Sequence, residues 1–196
     1  MLILVRHGRT AYNAARRLAG RIDVPLDDLG ERQAAALGAL TPLAGAARVV
    51  SSPLARARQT AAALGPAVTV DERWAEIDYG VFDGCPLDQV PPELWAGYRR
   101  DLEYTPEGGE SLGSVGRRVR AACEDLIDEA GRHDLVVVSH VSPIKAAVAW
   151  ALGVGDEVVW RLFLDNASVT TIGFGGSDGT RVALRGFNDT SGRPSV

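Results

Sequence analysis

The sequence predicts an α/β domain whose central sheet is mostly parallel and is covered by helices on both faces. Short, fully apolar runs, such as residues 2–5 and 135–138, are typical of strands that are buried on both sides. These runs alternate with longer segments in which apolar residues recur at helical spacing. No repeat, low-complexity tract or linker divides the 196 residues, so we expect a single domain over residues 1–196.

The first part of the chain is expected to supply three strands and two helices. Asp27 or Asp28 is a suitable N-cap for the first helix, and Pro53 suits the first turn of the second. Gly65-Pro66 ends that second helix. The predicted strands are 2–5, 48–52 and 68–70, and the predicted helices are 27–40 and 53–64.

The second part begins with an irregular stretch and then returns to alternating elements. Residues 83–109 are rich in proline, glycine and aromatic side chains, with a short helix over 93–100. Ser111 or Ser114 caps a long amphipathic helix that Gly131 closes. A buried strand (135–138), a helix (143–152) and an antiparallel pair of strands (168–174 and 180–187) follow.

Composition argues against several classes of protein. A net charge of −4 argues against a general binder of nucleic acid or anionic membranes. Apolar runs of only four to six residues predict no membrane-spanning helix, and the start does not resemble a signal peptide, so we expect a cytoplasmic protein. The two cysteines and three histidines lack zinc-site spacing, so we expect free thiols and no metal.

One histidine directly follows the first predicted strand, in Arg6-His7-Gly8. Ligands of open α/β sheets bind beyond the carboxyl ends of the strands. There a neutral imidazole is a competent nucleophile, a guanidinium matches phosphate oxygens, and Gly8 permits close approach of the backbone. By itself the tripeptide fits a half-buried histidine beside a surface arginine equally well.

Three further features point to the same edge of the sheet. Ser51–Thr60 follows a strand and opens a helix, an arrangement that favours an anion, and at most one of Arg56 and Arg58 can enter a site there. Glu76 lies among apolar and aromatic residues, where a carboxyl can keep its proton and act as a general acid. His140 follows the strand 135–138. Taken alone, each feature also has an ordinary structural interpretation.

Together these features resemble the histidine phosphatase superfamily, which includes cofactor-dependent phosphoglycerate mutase. The resemblance consists of Arg-His-Gly, Ser-Ser-Pro-Leu-x-Arg-x-x-x-Thr, Glu-x-x-x-Gly and Ser-His, in that order between residues 2 and 152. It implies a three-layer α/β/α fold with a mostly parallel central sheet, like that of phosphoglycerate mutase. The irregular stretch 83–109 then corresponds to a small lid insertion.

The resemblance also implies roles for individual residues. His7 is the residue that becomes phosphorylated, and Glu76 is the proton donor. Arg6, Arg58 and His140 complete the phosphate pocket; Arg58 is assigned because it lies six residues after Ser52, which leaves Arg56 as structural. The expected substrate and phosphate contacts are Gly8, Thr10, Asn13, Ala19, Gly20 and Val141. Many family members have glycines after Ser-His, so Val141 is a departure that either narrows one wall of the pocket or reflects a subgroup.

Within this family the sequence favours hydrolysis of the phosphoenzyme over transfer of its phosphoryl group. Mutases of the family carry a Glu-Arg-His-Tyr-Gly type of motif and a larger basic insertion, whereas here the motif reads Glu76-Ile77-Asp78-Tyr79-Gly80. We therefore expect a metal-independent phosphatase that acts on small-molecule phosphate esters through phosphohistidine and needs no cofactor. A 2,3-bisphosphoglycerate-dependent mutase and a non-catalytic phospholigand-binding module are the alternatives.

The resemblance leaves several other residues and the assembly state open. Trp95, Tyr98 and Tyr104 fit an apolar lid over the leaving group as well as they fit ordinary packing. Lys145 is expected on a helix surface and His133 in a surface loop. We expect a monomer or a homodimer with no nucleic-acid or membrane partner.

Overall fold

The central sheet of the molecule is mixed, with four parallel strands extended by an antiparallel pair. A computed structural model of the chain describes residues 1–40, 43, 45–65, 67–175 and 181–192. Within these residues the strand order is β3-β2-β4-β1-β5-β6. The strands are β1 (Leu2–Arg6), β2 (Arg48–Ser51), β3 (Val68–Val70), β4 (Leu135–Ser139), β5 (Val169–Gly175) and β6 (Arg181–Asp189). β1 to β4 are mutually parallel, and β5 runs antiparallel to both β1 and β6.

Helices cover both faces of this sheet. They are α1 (Ala11–Ala14), α2 (Asp28–Gly38), α3 (Ala55–Ala62), α4 (Pro92–Arg100), α5 (Leu112–Arg132) and α6 (Val141–Leu152). Short 3-10 turns lie at Glu72–Trp74, Gly80–Phe82 and Asp156–Arg161.

The alternation of side chains along β1 divides the core into two layers. Leu2 and Leu4 pack with buried residues of α5 and α6, while Ile3 and Val5 pack with buried residues of α2 and α3. Since all four side chains are at most 1% exposed, both faces of the strand are buried. This confirms the predicted α/β fold, with a mostly parallel sheet between two layers of helices.

Two helix boundaries differ from the predicted ones and affect the site. α3 begins at Ala55 rather than at Pro53, because Leu54 keeps an extended backbone at the N-cap and donates its N–H to the Ser52 hydroxyl at 3.3 Å. α6 begins at Val141, two residues before the predicted start, because a proline within the first turn needs no hydrogen-bond partner for its missing N–H. His140 is therefore the N-cap residue of α6.

The other boundaries lie close to their predictions. Asp27, rather than Asp28, caps α2 by accepting the Gly30 N–H at 2.8 Å, and Ser111, rather than Ser114, caps α5. α5 continues through Gly131 to Arg132, since one glycine costs a helix only about 1 kcal/mol. The antiparallel pair β5 and β6 is present, although residue 180 of the predicted second strand lies outside the described residues.

Candidate active site

The two histidines that follow strands meet at the carboxyl edge of the sheet. β1 and β4 are parallel neighbours in a register that places Arg6 opposite Ser139. His7 follows β1 and His140 follows β4, so the two histidines also lie side by side. Their ring centroids are 5.0 Å apart with the planes inclined by 56°. His7 is 3% exposed and His140 is fully buried. The pairing register, rather than any direct bond, brings the two imidazoles together.

The hydrogen bond of His7 defines which ring nitrogen is available for chemistry. Nδ1 lies 2.7 Å from the carbonyl oxygen of Gly8, and a carbonyl only accepts, so Nδ1 carries the proton. Burial, followed by the guanidinium groups of Arg56 and Arg6, lowers the pKa of His7 well below its ordinary value. The ring is therefore neutral at pH 7, and the lone pair of Nε2 is free.

Gly8 holds this arrangement through its backbone. Its N–H donates to the Thr60 hydroxyl at 3.1 Å, and its Cα lies so near Gly30 that an added Cβ would stand 2.5 Å from the Gly30 carbonyl oxygen. A side chain at position 8 would push the loop away from α2. Gly8 thus orients His7, and it is not among the residues that line the cavity described below.

His140 lies behind His7 and is tied to the end of a third strand. Its Nε2 and the hydroxyl of Ser52, which follows β2, share a hydrogen bond of 2.6 Å. Nδ1 is buried and has no hydrogen-bond partner among the described residues. Burial, together with Arg56, His7, Arg6 and Arg118, lowers the pKa of His140 well below its ordinary value. A second neutral imidazole therefore adjoins the first.

The structure brings Arg56, not Arg58, to this edge. Arg56 is 1% exposed and lines the cavity beside His7, whereas Arg58 is exposed to solvent. Because α3 begins at Ala55, its buried face consists of Arg56, Ala57, Thr60 and Ala61; position 58 lies two residues, or about 200°, around the helix. The predicted placement of Arg58 in the pocket was wrong, and Arg56, which was expected to be structural, lines the cavity instead.

Backbone carbonyls help to orient Arg6 and Arg56 at the cavity. Arg56 donates from Nη1 to the Ile22 carbonyl and from Nη2 to the Gly20 carbonyl, both at 2.8 Å. Arg6 donates from Nη1 to the Leu164 carbonyl at 2.6 Å. These bonds fix the direction of each guanidinium beside His7.

Glu76 is anchored at the N-terminus of α6. Its Oε2 accepts the backbone N–H of Val141 and its Oε1 that of Ser142, each at 3.1 Å, and Oε1 also accepts the Ile77 N–H at 2.9 Å. The side chain is 8% exposed and lines the same cavity as His7. The N–H groups at the helix N-terminus hold the carboxyl in one orientation at the cavity wall.

These groups border a cavity of about 300 Å³. The predicted contacts Asn13, Ala19, Gly20 and Val141 lie on its wall. Gly20 has a positive φ of 45°, and a Cβ there would stand 1.7 Å from Oδ1 of Asp83, so only glycine fits. The lining residues are Arg6, His7, Asn13, Arg17, Leu18, Ala19, Gly20, Arg56, Glu76, Tyr79, Leu87, Trp95 and Val141.

Thr10 does not contact this cavity, contrary to its predicted role. Its hydroxyl accepts the Asn13 N–H at 3.2 Å, and its backbone N–H donates to Oδ1 of Asn13 at 3.1 Å, which together form the capping box of α1. The hydroxyl also donates to Oδ1 of Asn13 at 3.0 Å. Thr10 is fully buried as a result. Oδ1 of Asn13 also accepts Nδ2 of Asn166 at 3.1 Å, which leaves the Asn13 amide nitrogen as its polar group for a ligand.

Several site residues were missed by the sequence interpretation. Arg17 and Tyr79 line the cavity, Ser52 bonds His140, and Asn166 supports Asn13. Only Ser52 carried a usable signal, since it follows a strand as both histidines do. Arg17 lies in a loop and donates to the Gly84 carbonyl at 2.7 Å, a contact that no local pattern indicates.

A second cavity of about 170 Å³ adjoins the first and shares Tyr79, Trp95 and Val141 with it. Trp95 and Tyr98 line it, which fits the predicted apolar lid, whereas Tyr104 packs edge-on against Tyr98 at 5.3 Å. Lys145 lines it too and is half-buried, so it is less exposed than the expected helix-surface lysine. His133 is exposed, as predicted.

Neither metal clusters nor membrane spans are found in the part of the chain that the structure describes. No group of three or more histidine, cysteine or acidic side chains is arranged to hold a metal ion there. No helix there combines the length and apolar character needed to cross a bilayer. Cys85 and Cys123 are free thiols.

Comparison with known proteins connects this site to one family. Residues 2–190 match the family model of the histidine phosphatase superfamily (branch 1). A bifunctional protein of Mycobacterium tuberculosis is 40% identical over 191 residues, which cover 93% of this chain and 52% of the relative. The chain thus spans about half the length of that relative. A Yersinia enterocolitica protein, "Probable phosphoglycerate mutase GpmB", is 32% identical, with 88% and 84% covered.

Solved structures share the fold over nearly its whole length. A mycobacterial glucosyl-3-phosphoglycerate phosphatase in complex with VO3 has a TM-score of 0.84 and 31% identity, and the match covers 96% of this chain and 98% of the other. A phosphoserine phosphatase from Entamoeba histolytica in complex with 3-phosphoglyceric acid has a TM-score of 0.87 and 25% identity, with 98% of both chains covered.

Proposed function

The chain belongs to the histidine phosphatase superfamily (branch 1), and we propose that it is a metal-independent phosphatase of small-molecule phosphate monoesters. The proposal places a phosphohistidine intermediate on Nε2 of His7. The observation that carries it is the bond from Nδ1 of His7 to the Gly8 carbonyl, which leaves the Nε2 lone pair free. His7 lines a cavity whose wall also includes the guanidinium groups of Arg6, Arg17 and Arg56 and the carboxyl of Glu76.

In the first step Nε2 of His7 attacks phosphorus, and the bond from phosphorus to the ester oxygen breaks. The departing alkoxide takes the proton of the Glu76 carboxyl and leaves as an alcohol. Arg6 and Arg56 offset the charge of the phosphate dianion and of the transition state. The imidazole of His7 becomes a phosphorylated cation, whose Nδ1–H continues to donate to the Gly8 carbonyl.

In the second step water replaces the alcohol. The Glu76 carboxylate, now ionised, takes a proton from water as the water oxygen attacks phosphorus, and the bond from phosphorus to Nε2 breaks. Inorganic phosphate leaves, and both His7 and the Glu76 carboxyl return to their starting states. Because Glu76 is fixed by N–H groups of α6, it serves both half-reactions from one position.

His140 and Asn13 are assigned to hold the phosphoryl group. When the Ser52 hydroxyl donates to Nε2 of His140, the neutral ring carries its proton on Nδ1, the nitrogen with no partner among the described residues. That N–H is then a donor to a phosphoryl oxygen on the neighbouring His7. The amide nitrogen of Asn13 is a second donor from the other side of the cavity.

The names of the structural relatives support a small substrate. One relative is a phosphatase of glucosyl-3-phosphoglycerate and another a phosphatase of phosphoserine. We extend the same class, an organic phosphate of low molecular mass, to this chain. We propose that it acts in the cytoplasm as a monomer or homodimer, without nucleic-acid or membrane partners.

Hydrolysis of p-nitrophenyl phosphate in EDTA tests this proposal. The wild-type chain should release nitrophenol with the chelator present, and His7→Ala should lower kcat by about a thousandfold or more, because it removes the nucleophile. His133→Ala is the matched control, since it removes an exposed histidine and should leave the rate unchanged. An alkaline quench followed by mass spectrometry should locate phosphate on His7.

Two results would reject the proposed mechanism. Full activity of His7→Ala would exclude the phosphohistidine, and loss of all wild-type activity in EDTA would exclude metal independence. Tight binding of phosphate without turnover of any ester would instead identify a binding module. Each outcome is read from the same purified proteins.

A phosphoglycerate mutase is the second candidate, because Arg17 adds a third guanidinium to the cavity wall. An extra cation is what a bisphosphorylated intermediate requires. The Yersinia enterocolitica relative also carries a mutase name. Conversion of 3-phosphoglycerate to 2-phosphoglycerate in the presence of 2,3-bisphosphoglycerate would establish this activity, and hydrolysis alone would exclude it.

A further inference from the structure

The second cavity, next to the candidate active site, is shaped for a ring. Its walls are mostly aromatic and aliphatic, with Tyr79 and Trp160 each edge-on to Trp95 at centroid distances of 6.0 and 6.4 Å. Its volume of about 170 Å³ is close to that of an apolar cavity of about 150 Å³ that binds benzene. One flat six-membered ring therefore fits it.

The position of this cavity connects it to the leaving group. Val141, Tyr79 and Trp95 border both cavities, and Glu76 accepts the N–H groups of Val141 and Ser142 at the boundary. In the proposed reaction Glu76 meets the ester oxygen. Groups attached to that oxygen therefore extend past Glu76 into the second cavity.

One positive charge borders this apolar space. Lys145 is the single lysine among the 21 lysine and arginine residues of the chain. It lies one helical turn after Val141 and Ser142 on α6, and side chains of a helix lean toward its N-terminus, so its amine is directed toward the Glu76 boundary.

Lys145 makes no hydrogen bond or ion pair with another of the described residues. Burial lowers the pKa of Lys145 from its ordinary value, and the nearby Glu76 carboxylate offsets only part of this effect. The apolar surroundings therefore disfavour the charge of Lys145, and a second anion in the cavity would offset that cost.

We propose that Lys145 is a specificity-determining residue that binds a carboxylate carried on an aromatic leaving group. The ammonium matches the single negative charge of a carboxylate and can donate to its oxygens. The preferred substrates are then phosphate esters of phenols or aromatic alcohols whose ring bears a short acidic side chain. This inference rests on the proposed function for the reaction, but its binding test does not depend on turnover.

A matched pair of substrates measures the preference. 4-(2-Carboxyethyl)phenyl phosphate and 4-propylphenyl phosphate have side chains of similar size and differ in one charge. We expect the wild-type kcat/KM to be about tenfold higher for the carboxylate, the effect of one partly buried charged hydrogen bond. Lys145→Met should bring this ratio to one, mainly through KM, and Lys145→Arg should keep most of it.

Arg99→Met is the matched control for charge. Arg99 is exposed and lies over the Trp160 ring, with its Cζ 4.9 Å from the ring centroid, so it is another cation near this cavity. The ratio of the two substrates should persist in this variant. A ratio that survives Lys145→Met, or one that collapses in Arg99→Met alone, overturns the assignment of Lys145.

A binding experiment separates this proposal from the proposed function. Because the chain has a single lysine, reductive methylation with 13C-formaldehyde gives one side-chain amine signal in an NMR spectrum. Addition of 3-phenylpropanoate should shift that signal, and 3-phenylpropanol should not. If p-nitrophenyl phosphate is not hydrolysed but the shift occurs, the phosphatase proposal fails and the carboxylate site stands; if both ligands leave the signal unmoved, the carboxylate site is rejected.

Discussion

The two cavities of the cleft are built from different kinds of structure. At the phosphate end, regular elements place the two imidazoles and two of the guanidinium groups: His7 and His140 follow parallel strands, Arg6 ends β1, and Arg56 belongs to the first turn of α3. The leaving-group end takes its walls from α4, from the first turns of α5 and α6, and from loops and 3-10 turns, including Tyr79, Trp95 and Trp160. In the proposed function, chemistry and selectivity are therefore carried by separately built parts, so substitutions can address them one at a time.

The largest expected effect is the difference between substitutions of Arg56 and Arg58, which lie two positions apart on α3. Arg56→Met should lower kcat/KM for p-nitrophenyl phosphate by about a thousandfold, because it removes a buried guanidinium from the phosphate, whereas Arg58→Met should change it less than about twofold. Steady-state kinetics measures both. Thermal unfolding is needed alongside, since Arg56 also bonds the carbonyls of Gly20 and Ile22.

A larger effect at Arg58 than at Arg56 would contradict the orientation of α3, in which Arg56 lies on the buried face and Arg58 is exposed. A large loss in Arg58→Met with a folded, active Arg56→Met would restore the assignment that the sequence motif first suggested. Arg56→Lys sharpens the result, because it keeps the charge and loses the fork of donors, and an intermediate activity is expected.

Glu76→Gln probes the boundary between the two ends. It should lower kcat by about a hundredfold for an alkyl phosphate, whose alkoxide must be protonated, and by much less for p-nitrophenyl phosphate, whose leaving group is stable as an anion. Glu72→Gln, at an exposed position, is the matched control. Equal losses on the two substrates would show that Glu76 positions the phosphate rather than protonating the leaving group.

The smallest expected effect is on stability and concerns the phosphate end alone. Burial lowers the pKa of His7 and of His140, so the unfolded chain binds more protons than the native one below about pH 6.5. Stability is therefore retained above that pH and is lost as the pH falls, by up to about 1.4 kcal/mol per pH unit for each histidine.

Urea unfolding between about pH 7.5 and 5.5 measures this slope of the unfolding free energy. His140→Gln should remove about half of the histidine contribution, because one of the two buried imidazoles is lost. A slope that is identical in the wild type and in this variant would mean that His140 is protonated in the native state.

The sequence predicted the phosphate end better than the leaving-group end, for a physical reason. Strands and the residues that follow them can be recognised from local apolar runs, so His7 and His140 were located correctly. Arg56 was set aside because the spacing of the family motif pointed to Arg58, whereas the start of α3 at Ala55 places Arg56 on the buried face of the helix. A shift of one residue changes which side chains of a helix face the core, whereas it does not change the recognition of a buried strand from its apolar run.

The leaving-group end depends on contacts that no local pattern encodes. Trp160 reaches Trp95 from a 3-10 turn more than sixty residues later in the chain, and Lys145 lines a cavity only because both aromatics enclose it. Periodicity placed Lys145 on a helix but could not say what faced it. Thr10 was similarly misjudged, since its position near His7 in the chain did not reveal its use as a helix cap.

The pairing of β1 with β4 also dictates the order in which the candidate site is assembled during synthesis. β1 is made before its partners in the sheet, which are β4, more than 130 residues later, and β5, later still. His7 and His140 are therefore joined by a contact of high sequence separation, which is slow to form. A ribosome-bound chain that ends before residue 140 holds His7 without its neighbour, and the site is complete only after the late strands have emerged and closed on the first.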